Sequence, residues 1–332
     1  FGLNPLPFLA VSLGCHFVSG FVVARIARQL DLGPRLALFA GVLSVAMYPS
    51  LTTMFWASAF QHVSAILFCL LCVSHFLTFL ERGTRGHQAA SCGFFGLALL
   101  SNELAASLPG VLAVLAFGRR EGSIGDRAVA TARRVAPQAA LLAAYLVFRF
   151  GVITQAPMHP AYALSLGWNL VENGARNLAY LFQERWWFAL GFAALVAAAQ
   201  LPPNPERKRS GMLLGWMLIA ALPTLGMPQI LPRMTMSLEA PFALLVADQL
   251  AAVIRRRPAL SSRFVETGLV GLLLLVIPYG VLYQRGSQPE GELNRQLANA
   301  LEHHFPALPS GSCVLVRLDP ALGWDDDTLF IM

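Results

Sequence analysis

Charge is what this sequence most lacks. Only 13% of its 332 residues are Asp, Glu, Lys or Arg, against about 25% in an ordinary soluble domain. So little charge cannot cover the water-facing surface of a chain this size, which excludes a soluble enzyme and a disordered chain. Lysine is nearly missing: Lys208 stands alone beside 23 arginines, a bias that fits a GC-rich bacterial genome and is given no functional weight. The net charge of +6 is spread along the chain rather than gathered with aromatics into a patch, so nucleic acid is excluded as a partner. Cysteines are few: Cys15, Cys69, Cys72, Cys92 and Cys313. The first four lie in apolar runs, where Cys behaves as a small hydrophobe. The lone Cys69-x-x-Cys72 lacks the second pair or added histidines of a structural zinc site. No signal-peptide pattern opens the sequence. What is abundant is hydrophobicity, at 56%, and the fold class left standing is an all-α polytopic membrane protein.

A spanning helix needs about 20 apolar residues to cross a ~30 Å hydrocarbon core. Between Arg35 and Glu81 lie 45 residues without an Asp, Glu, Lys or Arg. As helix this stretch would be about 67 Å long, too much for one crossing, and Tyr48-Pro49-Ser50 is the natural break because Pro disfavours helix at the residue before it. The apolar stretch 89–117, about 44 Å as helix, breaks at its one strongly polar cluster, Ser101-Asn102-Glu103. About ten transmembrane or re-entrant segments follow from this reading: 5–27, 36–49, 56–80, 89–101, 104–117, 135–153, 186–201, 211–226, 237–254 and 264–285. Asn4-Pro5 suits the start of the first, with Asn as cap and Pro at the first helical position.

Arginine placement orients the segments. Alternate loops hold Arg25, Arg28 and Arg35; Arg82 and Arg85; Arg119, Arg120, Arg127, Arg133 and Arg134; Arg207, Lys208 and Arg209; and Arg255, Arg256, Arg257 and Arg263. These are 17 of the 24 basic residues, and positive-inside bias assigns them to the cytoplasm. Reading 89–117 as one helix would divide Arg-rich loops between both faces, so a hairpin is expected there. Both ends of the sequence then face the periplasm of a bacterial inner membrane.

On that outer side, residues 154–185 form a long loop with His159, Glu172, Arg176, Glu184 and Arg185, followed by Trp186-Trp187. Leu166–Phe182 alternates apolar and polar positions at helical spacing, which predicts a helix lying in the interface, with the Trp pair as a belt anchor. Residues 1–285 are expected to be the transmembrane domain and 286–332 a small periplasmic α/β appendage. That appendage is read as a helix near 289–304, a strand near 312–317 and an acidic turn at Asp325-Asp326-Asp327. The turn is read as a solvated loop rather than a divalent-metal site.

Ionisable groups at membrane depth are costly and point to function. The expected topology puts Gln61, His62, Asn102, Glu103, Arg149, Arg233 and Glu239 on the outer side. An Arg there suits a phosphate, because its guanidinium fork matches phosphate oxygens. Arg233, Glu103, Asn102, Gln61, His62 and Arg149 are the phosphate or pocket candidates. His16 and His75 read as helix–helix contacts.

The runs Asn4-Pro-Leu-Pro-Phe…His16, Ala37-Leu-Phe-Ala-Gly…Tyr48-Pro49…Trp56-Ala-Ser58 and Leu99-Leu-Ser101-Asn102-Glu103-Leu-Ala…Leu108-Pro109 resemble the C-type glycosyltransferase superfamily. The resemblance is nearest to branches related to protein O-mannosyltransferases and tetratricopeptide-bearing membrane mannosyltransferases. Those families show an "NPxxFH" helix start, an "HP" turn before "WISxR", and "SKE" before a helix ending "LP". The segment Pro232-Arg233-Met-Thr-Met-Ser-Leu-Glu-Ala-Pro-Phe-Ala-Leu resembles their "RYxYLPxxGxAL". The likeness runs in order over about residues 1–255.

The resemblance implies transfer of a sugar from a polyisoprenyl-phosphate carrier at the external face, with inversion at the anomeric carbon and in some members a divalent metal. It implies Arg233 as the donor-phosphate contact and Glu103 as the acid of the "SKE" motif. It also implies a catalytic carboxylate in a loop expected upstream of Phe1, so that this sequence would be part of a longer polypeptide. Three positions depart from the pattern: Asn102 stands for lysine, Tyr48 for histidine, and Phe60 near an arginine. Those departures favour a second reading, a catalytically silent accessory subunit with other membrane subunits as partners. A transporter or lipid-carrier flippase is a third, although no internal repeat of the kind common in transporters is visible.

Overall fold

The computed structural model describes residues 6–47, 49–50, 53, 59–153, 167–181, 207–227, 232–256, 267, 270–271, 314–316 and 329–331. The chain divides into two units, Phe1–Ile277 and Pro278–Met332. The described part of the first is helical: α1 (Leu6–Gln29), α2 (Pro34–Val45), α3 (Phe60–Arg82), α4 (Arg85–Ser101), a 3-10 turn (Glu103–Ser107), α5 (Leu108–Gly118), α6 (Ile124–Phe148), α7 (Asn169–Leu181), α8 (Arg207–Leu225), a second 3-10 turn (Pro232–Leu238) and α9 (Glu239–Arg256). In the second unit, β1 (Val314–Val316) pairs antiparallel with β2 (Leu329–Ile331), Leu315 facing Phe330. β1 lies within the stretch read as a strand. The expected helix near 289–304 and the acidic turn 325–327 lie outside the described residues, as do Asn4-Pro5, Tyr48, His159, the segment 186–201 and Trp186-Trp187.

Three helical stretches among the described residues are long and apolar enough to cross a membrane: Leu6–Gln29, Phe60–Arg82 and Arg233–Arg255. Pro34–Val45 and Glu103–Gly118 are shorter apolar helices. The core joins α1, α2, α3, α5, α8 and α9 through Ile26, Ala40, Phe76, Leu77, Leu112, Leu115, Leu213 and Leu245, all wholly buried. Large apolar side chains also stand on the outside, among them Phe21 at 73% and Leu218 at 69% exposure. In water such exposure would be a liability; against lipid it is the ordinary arrangement.

Helix ends follow local chemistry. α1 closes with Leu32 N–H donating to Ala27 and Asp31 N–H to Arg28, with Asp31 left-handed at φ 61°, the hydrogen-bond pattern of a Schellman cap with Asp in place of Gly. α1 and α2 cross at Gly20 and Gly41, where a Cβ on Gly41 would lie 2.5 Å from the Gly20 carbonyl oxygen. Only glycine permits that approach.

Two expected boundaries move. The segment read as 135–153 begins at Ile124, because the Ser123 hydroxyl accepts from the Asp126 N–H at 3.2 Å and caps a helix through the Arg-rich stretch. Arg127, Arg133 and Arg134 are therefore helical rather than in a loop. α2 ends at Val45, four residues before its expected limit.

The arginine-rich turns meet at one end of the bundle. Arg119, after α5, pairs with Glu81 at 3.0 Å and donates to the Gln29 carbonyl. Lys208 reaches the Arg120 carbonyl at 3.3 Å, and Arg209 the Leu30 carbonyl at 3.0 Å. Since α5 returns to the end where α4 began, the chain doubles back at Asn102.

Candidate functional site

His62 and Glu81 lie 19 residues apart on α3, about 28 Å at 1.5 Å per residue. The arginine cluster surrounds Glu81, so His62 marks the far end. There a cavity of about 40 Å³ opens between six elements. α3 contributes His62, Ala65, Ile66, Cys69 and Leu70; the first 3-10 turn and α5 contribute Leu104, Ser107 and Val111. α8 adds Trp216 and Ala220, and the second 3-10 turn with α9 adds Arg233, Met236, Ser237 and Ala240. Asn102, between α4 and the first turn, completes the wall.

Asn102 has two tasks. Its extended backbone (φ −161°, ψ 137°) ends α4, and its Oδ1 accepts from the Leu104 N–H at 3.0 Å, capping the 3-10 turn. Its amide nitrogen donates to His62 Nδ1 at 3.3 Å. Nδ1 is thus the acceptor nitrogen, and in the neutral ring the proton sits on Nε2. His62 and Asn102 are both buried, at 7% and 8% exposure. Arg233 and Glu103 lie close enough to act on His62 electrostatically, with opposite signs.

Of the six sequence candidates, His62, Asn102 and Arg233 line the cavity. Glu103 begins the capped turn beside it and is exposed. Gln61 is exposed and points off the lining face of α3, while Arg149 begins a π-helical turn, Arg149–Ile153, away from the cavity. No carboxylate lines the cavity among the described residues. Nor do three His, Cys, Asp or Glu side chains converge anywhere among them, so the residues described here supply no ligand set for the divalent metal the family likeness implies.

Sequence reading passed over Trp216, Met236 and Cys69 as cavity residues. For Cys69 the signal was available: His62, Ala65, Ile66, Cys69 and Leu70 fall on one helix face. Glu239 is the other under-read group. It is 3% exposed, at the start of α9, and accepts from the Ser50 backbone N–H at 2.8 Å and from the Ser50 hydroxyl. A second, smaller space of about 20 Å³ lies beside it, lined by His16, Ser19, Ser44 and Ser50. His16 holds the Val45 carbonyl at 2.9 Å, a helix–helix contact as read, and His75 meets His87 at 3.1 Å. Ile66, Leu70, Met236 and Ala240 border both spaces.

α7 braces the α8 side of the cavity. Its Asn173 amide donates to the carbonyls of Leu225 at 2.9 Å and Met227 at 2.6 Å, and Asn177 donates to the Thr224 hydroxyl at 2.9 Å. The Asn173 bonds satisfy carbonyls that the end of α8 leaves unpaired. The helix is inverted: Asn173, Asn177 and Leu181 are buried, while Trp168, Val171 and Leu178 face outward beside the Glu172–Arg176 pair. Leu214, Leu218 and Leu222 form a similar outward stripe on α8.

The chain matches no protein-family model, no curated protein and no solved structure.

Proposed function

We propose that this chain is an integral-membrane glycosyltransferase that takes a sugar from a polyisoprenyl-phosphate donor at the periplasmic face of a bacterial inner membrane. The observation that carries the reading is the meeting of Arg233, His62 and Asn102 on one cavity, with Glu103 beside it. In this account the helices span as about ten segments, with the arginine-rich end cytoplasmic and the cavity end outward. A lipid carrier presents its phosphate at the interface, where Arg233 offers a guanidinium fork. The carrier's tail approaches along the outward stripes of α7 and α8, which lie in lipid. Asn102 does not replace the lysine of the related motif in charge; it orients His62 and caps the turn bearing Glu103. No residue is assigned as base. That role requires a group within hydrogen-bond reach of the acceptor hydroxyl, and among the described residues no carboxylate lines the cavity.

The cavity volume bears on the mechanism. At about 40 Å³ it has room for water, which needs about 10–15 Å³ by the same measure. Small-molecule sites run to roughly 300–1,000 Å³, so the donor sugar enters only when the wall opens. A second reading, the silent accessory subunit, is favoured by the same small volume and by the departures at Asn102, Tyr48 and Phe60 from the related motifs.

The experiment is sugar transfer from radiolabelled polyprenyl-phosphate sugar by protein reconstituted in vesicles, comparing the native chain with Arg233→Ala. The proposal expects transfer by the native chain and at least a tenfold loss in the variant. Undiminished transfer in the variant removes Arg233 from the donor site. A native chain that neither binds donor nor transfers sugar, and co-purifies with other membrane subunits, supports the accessory reading.

A further inference from the structure

The arginine-rich end carries a feature unrelated to sugar transfer. An open basin of about 640 Å³ lies beside the end of α1, bordered by Phe21, Arg25, Arg28, Gln29, Asp31 and Glu81. Phe17, Phe21, Arg25 and Arg28 follow one another at i, i+4, i+8 and i+11, and so share one face of the helix. The two Phe are exposed, at 59% and 73%, and both arginines are exposed. The face is thus an aromatic track that ends in two guanidinium groups, the profile of a lipid with tail above and phosphate below.

The local charge balance is positive. Neither Arg25 nor Arg28 has an ion-pair partner among the described residues. Glu81 is already paired with Arg119 at 3.0 Å, which among the described residues lining the basin leaves Asp31 as the uncommitted carboxylate against two cations. The Gln29 amide is spent on α3, donating to the Ser74 carbonyl at 3.0 Å and the Thr78 hydroxyl at 2.8 Å, so it fixes the α1 end rather than a ligand. Its carbonyl accepts from Arg119. Together with the cap at Asp31 these bonds hold the last turn of α1 in place, so the two guanidinium groups project from a braced helix end.

We propose that this basin binds an anionic glycerophospholipid of the surrounding leaflet, with the acyl chains on Phe17 and Phe21 and the phosphate on Arg25 and Arg28. Two forks on one helix face can hold separate phosphate oxygens, and basic pockets at the end of membrane helices are suited to acidic headgroups. The occupant is a lipid rather than a free anion because the cationic end is continuous with the exposed aromatic track. The inference rests on the chain being a membrane protein and is independent of the glycosyltransferase reading.

The test is native mass spectrometry of the purified chain in detergent, titrated with phosphatidylglycerol or phosphatidylcholine of the same acyl length. The proposal expects at least a tenfold preference for the anionic lipid. Arg25→Gln/Arg28→Gln should abolish that preference, and Arg133→Gln, exposed on α6 away from the basin, should leave it intact. Equal binding of both lipids, or a preference that survives the double substitution, overturns the proposal. So does full displacement of the lipid by millimolar inorganic phosphate, which would mark a soluble-anion site. Should the double variant not fold, a photoreactive phosphatidylglycerol on the native chain decides: label within residues 17–31 supports the site, and label confined elsewhere overturns it.

Discussion

The amide nitrogen of Asn102 donates to His62 Nδ1 at 3.3 Å, joining residues 40 positions apart. The contact ties the turn between α4 and α5 to the start of α3, and it fixes which ring nitrogen of His62 carries the proton. Asn102→Ala removes this donor and the cap on Leu104 together, and a lost cap costs about 0.5–2 kcal/mol. His62→Gln keeps the cap and a side-chain oxygen able to accept from the Asn102 amide. Thermal unfolding in detergent should therefore show Asn102→Ala as the more destabilised; the reverse order would mean the cap contributes little.

The crossing of α1 and α2 depends on Gly41, where an added Cβ would meet the Gly20 carbonyl at 2.5 Å. Gly41→Ala should destabilise the protein by about 1–3 kcal/mol, the usual cost of overpacking. Gly14, on the same α1, has nothing within 4 Å of an added Cβ, so Gly14→Ala should be neutral or gain up to about 1 kcal/mol in helix propensity. Melting midpoints of the two variants check the contrast.

The partly buried Arg209 pairs with the buried Asp248 at 2.5 Å, and Asp248 also accepts from the Ser210 hydroxyl at 2.6 Å. Removing Arg209 leaves the buried Asp248 carboxylate without its cation, which costs about 3–5 kcal/mol in buried pairs. Arg209→Ala should lower yield and melting temperature sharply. Far smaller losses in the double Arg209→Met/Asp248→Leu variant would identify the stranded charge, rather than the lost contact, as the cause.

The inverted α7 predicts a pattern of lipid exposure. Nitroxide labels at Trp168→Cys, Val171→Cys and Leu178→Cys should be more accessible to oxygen than to a water-soluble nickel reagent, at a depth of about 5–10 Å. Labels at Glu172→Cys and Arg176→Cys should be water-exposed. Water exposure at all five positions would remove α7 from the bilayer interface.

Much of the helical framework was legible in the sequence because apolar run length and arginine placement are themselves physical constraints. The break at Ser101-Asn102-Glu103 and a helix within 166–182 both have counterparts in the described helices. The start of α6 was not, since a Ser123–Asp126 cap reaches across a stretch whose charge reads as loop. The pairing of Ser50 with Glu239, separated by 189 positions, leaves no periodic trace, because it is made by tertiary packing alone. The same holds for the site: Arg233 and His62 stand out singly as polar groups among apolar ones, but that Trp216 faces the same cavity while Arg149 does not is decided by how the helices pack.

The most direct measurement of the central claim is photo-crosslinking of reconstituted protein with a polyprenyl phosphate carrying a photoreactive group near its phosphate. The account predicts label on peptides spanning 61–70 and 232–240, suppressed by excess unlabelled polyprenyl-phosphate sugar and reduced in Arg233→Ala. Label spread over the lipid-facing surface, insensitive to that competitor, would contradict it.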